Sequence, residues 1–240
     1  MATELSDLIN YEEYLRIKEE CAKLDSTNPQ VVATSMHNWQ LGMPLSQNST
    51  SHLSNRAALR VILSRKSEFN PSRDKPVFYD LGCGIGTLVI YAAHDGWYGT
   101  GAEFDEEHFR GALINIDNAV KAGFIDKNYA MVAHGNFFPE GFKVRELNPK
   151  IDEFRKYLKS REKISQRIDI STLFGIDLSE VDLFYHFQVE SKDNILRFFA
   201  DYARKGSVLA FVSTMPDKAD MPRGIHPAGS FNTLSFYRKG

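Results

Sequence analysis

Val77-Phe78-Tyr79-Asp80-Leu81-Gly82-Cys83-Gly84-Ile85-Gly86-Thr87 is an apolar and aromatic run, then a turn built mostly of glycine, then the opening of a second apolar run. The first run reads as a short buried strand, with Pro76 placed where a strand tolerates it, at its first position. Three alternating glycines let the backbone take positive φ and let a ligand come close with no Cβ between. A helix starting near Gly86 turns free N–H groups and the positive end of its dipole toward whatever lies over the turn. Two acids sharpen the pattern. Asp80 stands at the carboxyl end of the strand, and Glu103 ends a second predicted strand, Tyr98 to Glu103. In a doubly wound fold an acid at that second position holds the two hydroxyls of a ribose. The stretch therefore predicts a nucleoside site.

A dinucleotide site wants G-x-G-x-x-G, with the pyrophosphate on the helix N-terminus. Here the third glycine comes one residue early, at Gly86, and Asp80 puts negative charge where a pyrophosphate would lie. A carboxylate there suits a ligand with a positive amino group. This disfavours a nicotinamide-dependent oxidoreductase. Asp80-x-Gly82-x-Gly84-x-Gly86, followed by an acid closing the second strand, resembles the class I S-adenosylmethionine-dependent methyltransferases. The resemblance implies that Asp80 and the turn (Gly82, Cys83, Gly84, Gly86) hold the methionine part of S-adenosyl-L-methionine. It implies that Glu103, with Phe104 beside it, holds the ribose. It places the adenine at Asn136 and Phe137, after the third strand. The family usually has an acid where this chain has Asn136, but an amide oxygen can still accept from the adenine amino group.

The chain has 240 residues, enough for one α/β domain with a sizeable core. A net charge of −2 supplies no global basic field for nucleic acid. Its two cysteines, Cys21 and Cys83, make no disulfide framework, and no zinc spacing is present. The N-terminus lacks the basic and apolar regions of a secretion signal, and the apolar runs are too short to span a membrane. A reducing, cytoplasmic compartment is the expectation.

Two regions are expected, an N-terminal helical cap with a lid loop (1–70) and the cofactor-binding domain (71–240). In the first, Asn10 caps an amphipathic helix to Leu24, and a second helix runs from about Ser51 to Ser67. The polar stretch between them, 25–50, holds His37 and Trp39 and reads as a lid or binding loop. From Val77 on, strands and helices alternate, which predicts α/β architecture: a doubly wound, mostly parallel sheet with helices on both faces. Asp105 caps the helix after the second strand and Gly123 ends it. A helical insertion is expected at 143–180. Between Lys143 and Arg167 it carries nine Lys/Arg against four Asp/Glu, the pattern of a solvated helix face. Past the fifth strand the residues leave room for one clear strand, from about Phe231 to Tyr237. The C-terminal edge is therefore expected to be trimmed.

Ligands in such sheets bind beyond the carboxyl ends of the strands. The end of the fourth strand, Tyr185-His186-Phe187-Gln188 with Glu190, is thus the candidate acceptor region. His186 is the candidate catalytic base near neutral pH. Tyr185 and Gln188, with His37 and Trp39 from the lid and His226 from the tail, are candidate substrate contacts. The Asn/Asp-Pro-Pro-aromatic turn of enzymes that methylate DNA bases or glutamine is missing, and no cysteine is placed for attack on cytosine. The segment from Met43-Pro44 to Leu63 and the aromatic fourth strand look like protein-lysine methyltransferases of this fold. That likeness implies a protein side-chain amine as acceptor and leaves a small-molecule N or O acceptor open. A non-catalytic binding protein working through the basic insertion is the remaining alternative. Retained Asp80 and Glu103 speak against it.

Overall fold

The computed structural model describes residues 4–27, 45–69, 71, 73–144, 175–187, 192–212 and 221–240, with 24–27 and 45–52 as backbone only. Two helices precede the sheet: α1 (Tyr11–Thr27) and α2 (Leu45–Ser64). The alternating part then runs β1 (Val77–Leu81), α3 (Thr87–His94), β2 (Tyr98–Glu103), α4 (Glu106–Lys121), β3 (Ala130–His134), β4 (Leu183–Phe187), α5 (Lys192–Tyr202) and β5 (Val208–Val212). A closing hairpin supplies β6 (Ile225–Phe231) and β7 (Leu234–Lys239). The seven strands form one sheet in the order β3-β2-β1-β4-β5-β7-β6. Neighbours from β3 to β5 are parallel, and β7 is antiparallel to both β5 and β6. The expected doubly wound α/β class is the observed one.

Local signals act where the sequence places them. The Asn10 side chain accepts the Glu13 N–H at 3.0 Å and starts α1. The Asp105 carboxylate accepts from the N–H groups of Glu107 and His108 and starts α4. β1 is buried along its whole length, as an inner parallel strand must be. One sheet face carries α1, α2 and α3, which share a core with Phe78, Leu183, Val208 and Phe236. The other carries α5 and the segment after β3, packed on Tyr79, Phe184 and Phe211. A smaller cluster closes α3 and α4 over β2 and β3.

Three expectations change. First, α2 begins at Leu45, inside the stretch read as irregular. Its first turns, Leu-Ser-Gln-Asn-Ser-Thr, have no apolar periodicity, so the start was invisible to a pattern of burial. Second, the C-terminal edge is not trimmed to one strand. β6 holds Pro227 and Gly229 and shifts register between Pro227 and Ser230, which only an edge strand tolerates. Asn232, at φ 55°, turns the chain into β7. Third, His226 pairs with Arg238, which pairs with Val208 at the amino end of β5. It therefore lies at the end of the sheet away from the glycine turn and cannot close over it. His37, Trp39, Gln188, Glu190 and most of the insertion (145–174) lie outside the described residues.

Candidate functional site

The glycine turn is held from three sides. The N–H groups of Gly82 and Cys83 both donate to the Ala102 carbonyl, at 3.0 and 2.9 Å. The Gly84 N–H donates to Glu103 Oε2 at 2.7 Å. From α4, Asn115 Nδ2 donates to the Ile85 carbonyl at 2.9 Å. Gly86 is the N-cap of α3 in the left-handed region and gives no side-chain cap, so the first turn of that helix keeps amides for a ligand. A Cβ on Gly86 would come 3.1 Å from the Ala112 Cβ, so this glycine seats α4. Gly84 differs: at φ +54° a Cβ there would point into open space. Its positive φ accounts for the glycine, and the open space leaves room for a ligand to lie against the backbone.

The two acids are sealed in. Asp80 is 3% exposed and Glu103 8%. Glu103 Oε1 accepts the Asp105 N–H at 2.8 Å while Oε2 holds the turn, so both oxygens have a backbone donor. Each keeps a second lone pair for a hydroxyl. Burial raises the Glu103 carboxyl, and the N–H groups of Asp105 and Gly84 work against that rise. Asp80 has no such help. Its Oδ1 is buried without a hydrogen-bond partner. Burial, with the Glu103 charge adding to it, pushes its carboxyl well above the ordinary range. The site thus sets a buried acid with one unpartnered oxygen beside an acid tied to backbone N–H groups through both oxygens.

His186 is brought next to this turn, on β4. Its Nδ1–H donates to the Leu81 carbonyl at 2.7 Å, which sets the tautomer. The ring is 0% exposed and lies 5.4 Å from Phe137 and 5.8 Å from Phe211, centroid to centroid. Burial lowers its pKa to about 4. The imidazole is thus held neutral at pH 7, below the near-neutral titration expected of it, and tethers β4 to the last residue of β1. Tyr185 sits opposite Asp80 in register, buried under the N-terminal helices, with its hydroxyl pushed up by burial. Asn136 uses its Oδ1 to accept the Phe138 N–H at 3.0 Å. Phe137 packs against Phe138 and His186. The Phe104 carbonyl meets His134 Nε2 at 3.1 Å. Among the described residues no group of His, Cys, Asp and Glu could hold a metal ion.

No family model matches the chain, and no curated protein matches it in sequence. Solved structures do match it in shape. Magnesium protoporphyrin IX methyltransferase from Synechocystis PCC 6803, with bound SAM, superposes with a TM-score of 0.51 at 12% identity, over 82% of this chain and 83% of that one. The chain has the class I methyltransferase fold. Two other solved structures superpose less well. An RNA methyltransferase from Salinibacter ruber in complex with S-adenosyl-L-homocysteine gives a TM-score of 0.40 at 22% identity, covering 68% and 79% of the two chains. Precorrin-6y C5,15-methyltransferase from Geobacter metallireducens GS-15 gives 0.42 at 12%, covering 75% and 86%.

In this methyltransferase fold the turn, both acids and His186 stand at the carboxyl ends of β1, β2 and β4, where the strand order reverses. Asn115 was not anticipated from the sequence. It is buried on the inner face of α4, and its signal was an amide amid the apolar positions of an amphipathic helix. Gly99 and Gly101 were also read only as strand residues. Their faces admit α3 and Cys83: a Cβ would come 2.3 Å from the Val89 carbonyl oxygen and 2.6 Å from the Cys83 Cβ. Among the described residues no helix is long and apolar enough to cross a membrane.

Proposed function

We propose that the chain is an S-adenosylmethionine-dependent methyltransferase that moves a methyl group to a nucleophilic nitrogen or oxygen. The observation that carries this is the pair of buried acids set around the glycine turn, with Asp80 Oδ1 left unpartnered. S-adenosyl-L-methionine offers the matching chemistry, an ammonium group and two ribose hydroxyls. Asp80 would take the ammonium and Glu103 the hydroxyls. Gly84 leaves room for the methionine part, Phe137 would pack on the base, and Asn136 Oδ1, which already accepts the Phe138 N–H, would offer its second lone pair to the adenine amino group. The bound SAM in the Synechocystis methyltransferase of the same fold supports this choice of cofactor.

The cofactor supplies an activated methyl group on a sulfonium. The chain's own task is to hold the acceptor in line and keep water out. His186 serves by position: its N–H on the Leu81 carbonyl fixes the residue that leads into Gly82. Phe137 and Phe211 wall its ring from water. Residues 188–191, next along the chain from β4, are the segment in which acceptor contacts are sought.

The test is thermal unfolding with S-adenosylhomocysteine, S-adenosylmethionine, NAD and NADP. At hundredfold excess over Kd a true ligand adds roughly 2.7 kcal/mol. For a chain of this length that raises Tm by about 5–10 °C. The expected result is a shift with the two adenosyl sulfur compounds alone. Asp80→Ala and Glu103→Ala should each weaken binding by about 10- to 100-fold, the worth of a hydrogen bond to a charged group. A shift with NAD or NADP instead would overturn the proposal.

A further inference from the structure

We propose that Asp80 is neutral in the free protein and gives up its proton when a cationic group binds over the glycine turn, so that cofactor binding releases a proton. This rests on the cofactor proposed above and adds a coupling that the cofactor alone does not require.

The geometry separates the two acids. Glu103 has a backbone N–H on each oxygen, which stabilises a carboxylate. Asp80 is the more deeply buried of the two and has one oxygen with no partner. Burial, with the Glu103 charge beside it, disfavours a second carboxylate in the same site where no cation balances it. The acid with the donors keeps its charge, and the other keeps its proton. Glu103 on β2 is the charged group that acts on Asp80. Cys83 from the turn, Tyr79 on β1 and Tyr185 on β4 also feel the Asp80 charge, and Arg56 of α2 acts on Tyr185. Among the described residues no cationic side chain forms an ion pair with Asp80. An arriving ammonium changes this balance. The Asp80 O–H bond breaks, the proton passes to solvent, and the carboxylate left behind faces the new positive charge. No electrons are exchanged, and the site gains one negative charge against the one positive charge that enters.

Binding is then favoured by rising pH. Below the free-site pKa of Asp80, affinity should improve by up to about tenfold per pH unit. The decisive experiment is calorimetric titration of S-adenosylhomocysteine at pH values from about 5 to 7.5, each in a pair of buffers of low and high ionisation enthalpy. The dependence of the observed heat on buffer counts the protons released. The expected result is a release approaching one proton for the wild type and none for Asp80→Asn, which binds more weakly and with a flat pH profile. Tight binding with no buffer dependence in the wild type would overturn the coupling while leaving the cofactor proposal intact. Release that persists in Asp80→Asn would overturn it too, by assigning the proton to another group. If neither S-adenosylhomocysteine nor S-adenosylmethionine binds, the functional proposal itself fails, and the coupling with it. The wild-type measurement needs no variant to fold.

Discussion

A carboxyl group sealed from water with an unpartnered oxygen works against the fold at neutral pH, and Asp80 is such a group. Its folded-state pKa lies above the unfolded value of about 3.9. The folded protein therefore holds this proton more tightly than the unfolded chain does. The stability contributed by that proton is complete below the unfolded pKa. It is lost as pH rises through the folded one. Asparagine at the same place carries no charge to desolvate. Asp80→Asn should thus unfold at a higher temperature than the wild type at pH 7, with the gap closing toward pH 4. Scanning calorimetry across that range checks it, and a variant less stable than the wild type at pH 7 would reject the account. The site would then be a place where folding free energy is set aside for a ligand. Asp80, Glu103 and the glycines were legible because each residue type has one physical use at its position. The place of His186 beside the glycine turn was legible, but its protonation was not. Burial and the Leu81 carbonyl set that, and neither is written in the sequence around it.

At the scale of elements, β2 shows how small side chains position a helix. Gly99 and Gly101 point to one face, two residues apart, as a strand's period requires. α3 comes so close that a Cβ on Gly99 would sit 2.3 Å from the Val89 carbonyl oxygen, a backbone atom that cannot swing aside. Gly99→Ala should destabilise the protein by about 1–3 kcal/mol, the usual cost of overpacking. Urea unfolding measures this, and an unchanged midpoint would mean that α3 stands off from the sheet. Because α3 begins at the glycine turn, the same variant should also disturb ligand binding. Element boundaries followed the signals well where a cap or an apolar period marked them, as at Asn10 and Asp105. They failed at the start of α2 and at β6, where a polar helix turn and a proline-bearing edge strand carry no such mark.

For the whole molecule, the N-terminal helices belong to the core. Arg60 of α2 pairs with Glu20 of α1 and with Asp95 just past α3, each at 3.5 Å, and lies 4.7 Å over the Tyr91 ring. Arg65 pairs with Glu13. Trp97 donates its indole N–H to the Leu63 carbonyl at 2.8 Å and meets Phe69 edge to face. At the far edge, Asn55 of α2 exchanges hydrogen bonds with Thr233 in the β6–β7 turn, at 2.9 and 3.1 Å. Gly229 of β6 lies against Ser6, in the short helical turn Leu5–Leu8. The described N-terminal elements, from Leu5–Leu8 through α1 and α2, thus cover one sheet face and guard its open edge. Deleting 1–69 should abolish cooperative unfolding, because it bares Phe78, Leu183, Tyr185 and Val208 together. Circular dichroism on 70–240 tests this, and a cooperative melt would show that the sheet stands alone.

The sequence by itself determined the α/β order, the glycine turn and the two acids, because glycine spacing, strand period and an acid at a strand end act locally. Tertiary structure alone decided that α1 and α2 share the sheet's core, that β6 completes a seventh strand, and that His226 lies at the wrong end. It also decided that one oxygen of Asp80 is left without a partner while both oxygens of Glu103 are tied to backbone. These outcomes depend on which distant surfaces meet and which groups lose water when they do, and neither quantity is a property of any short stretch of chain.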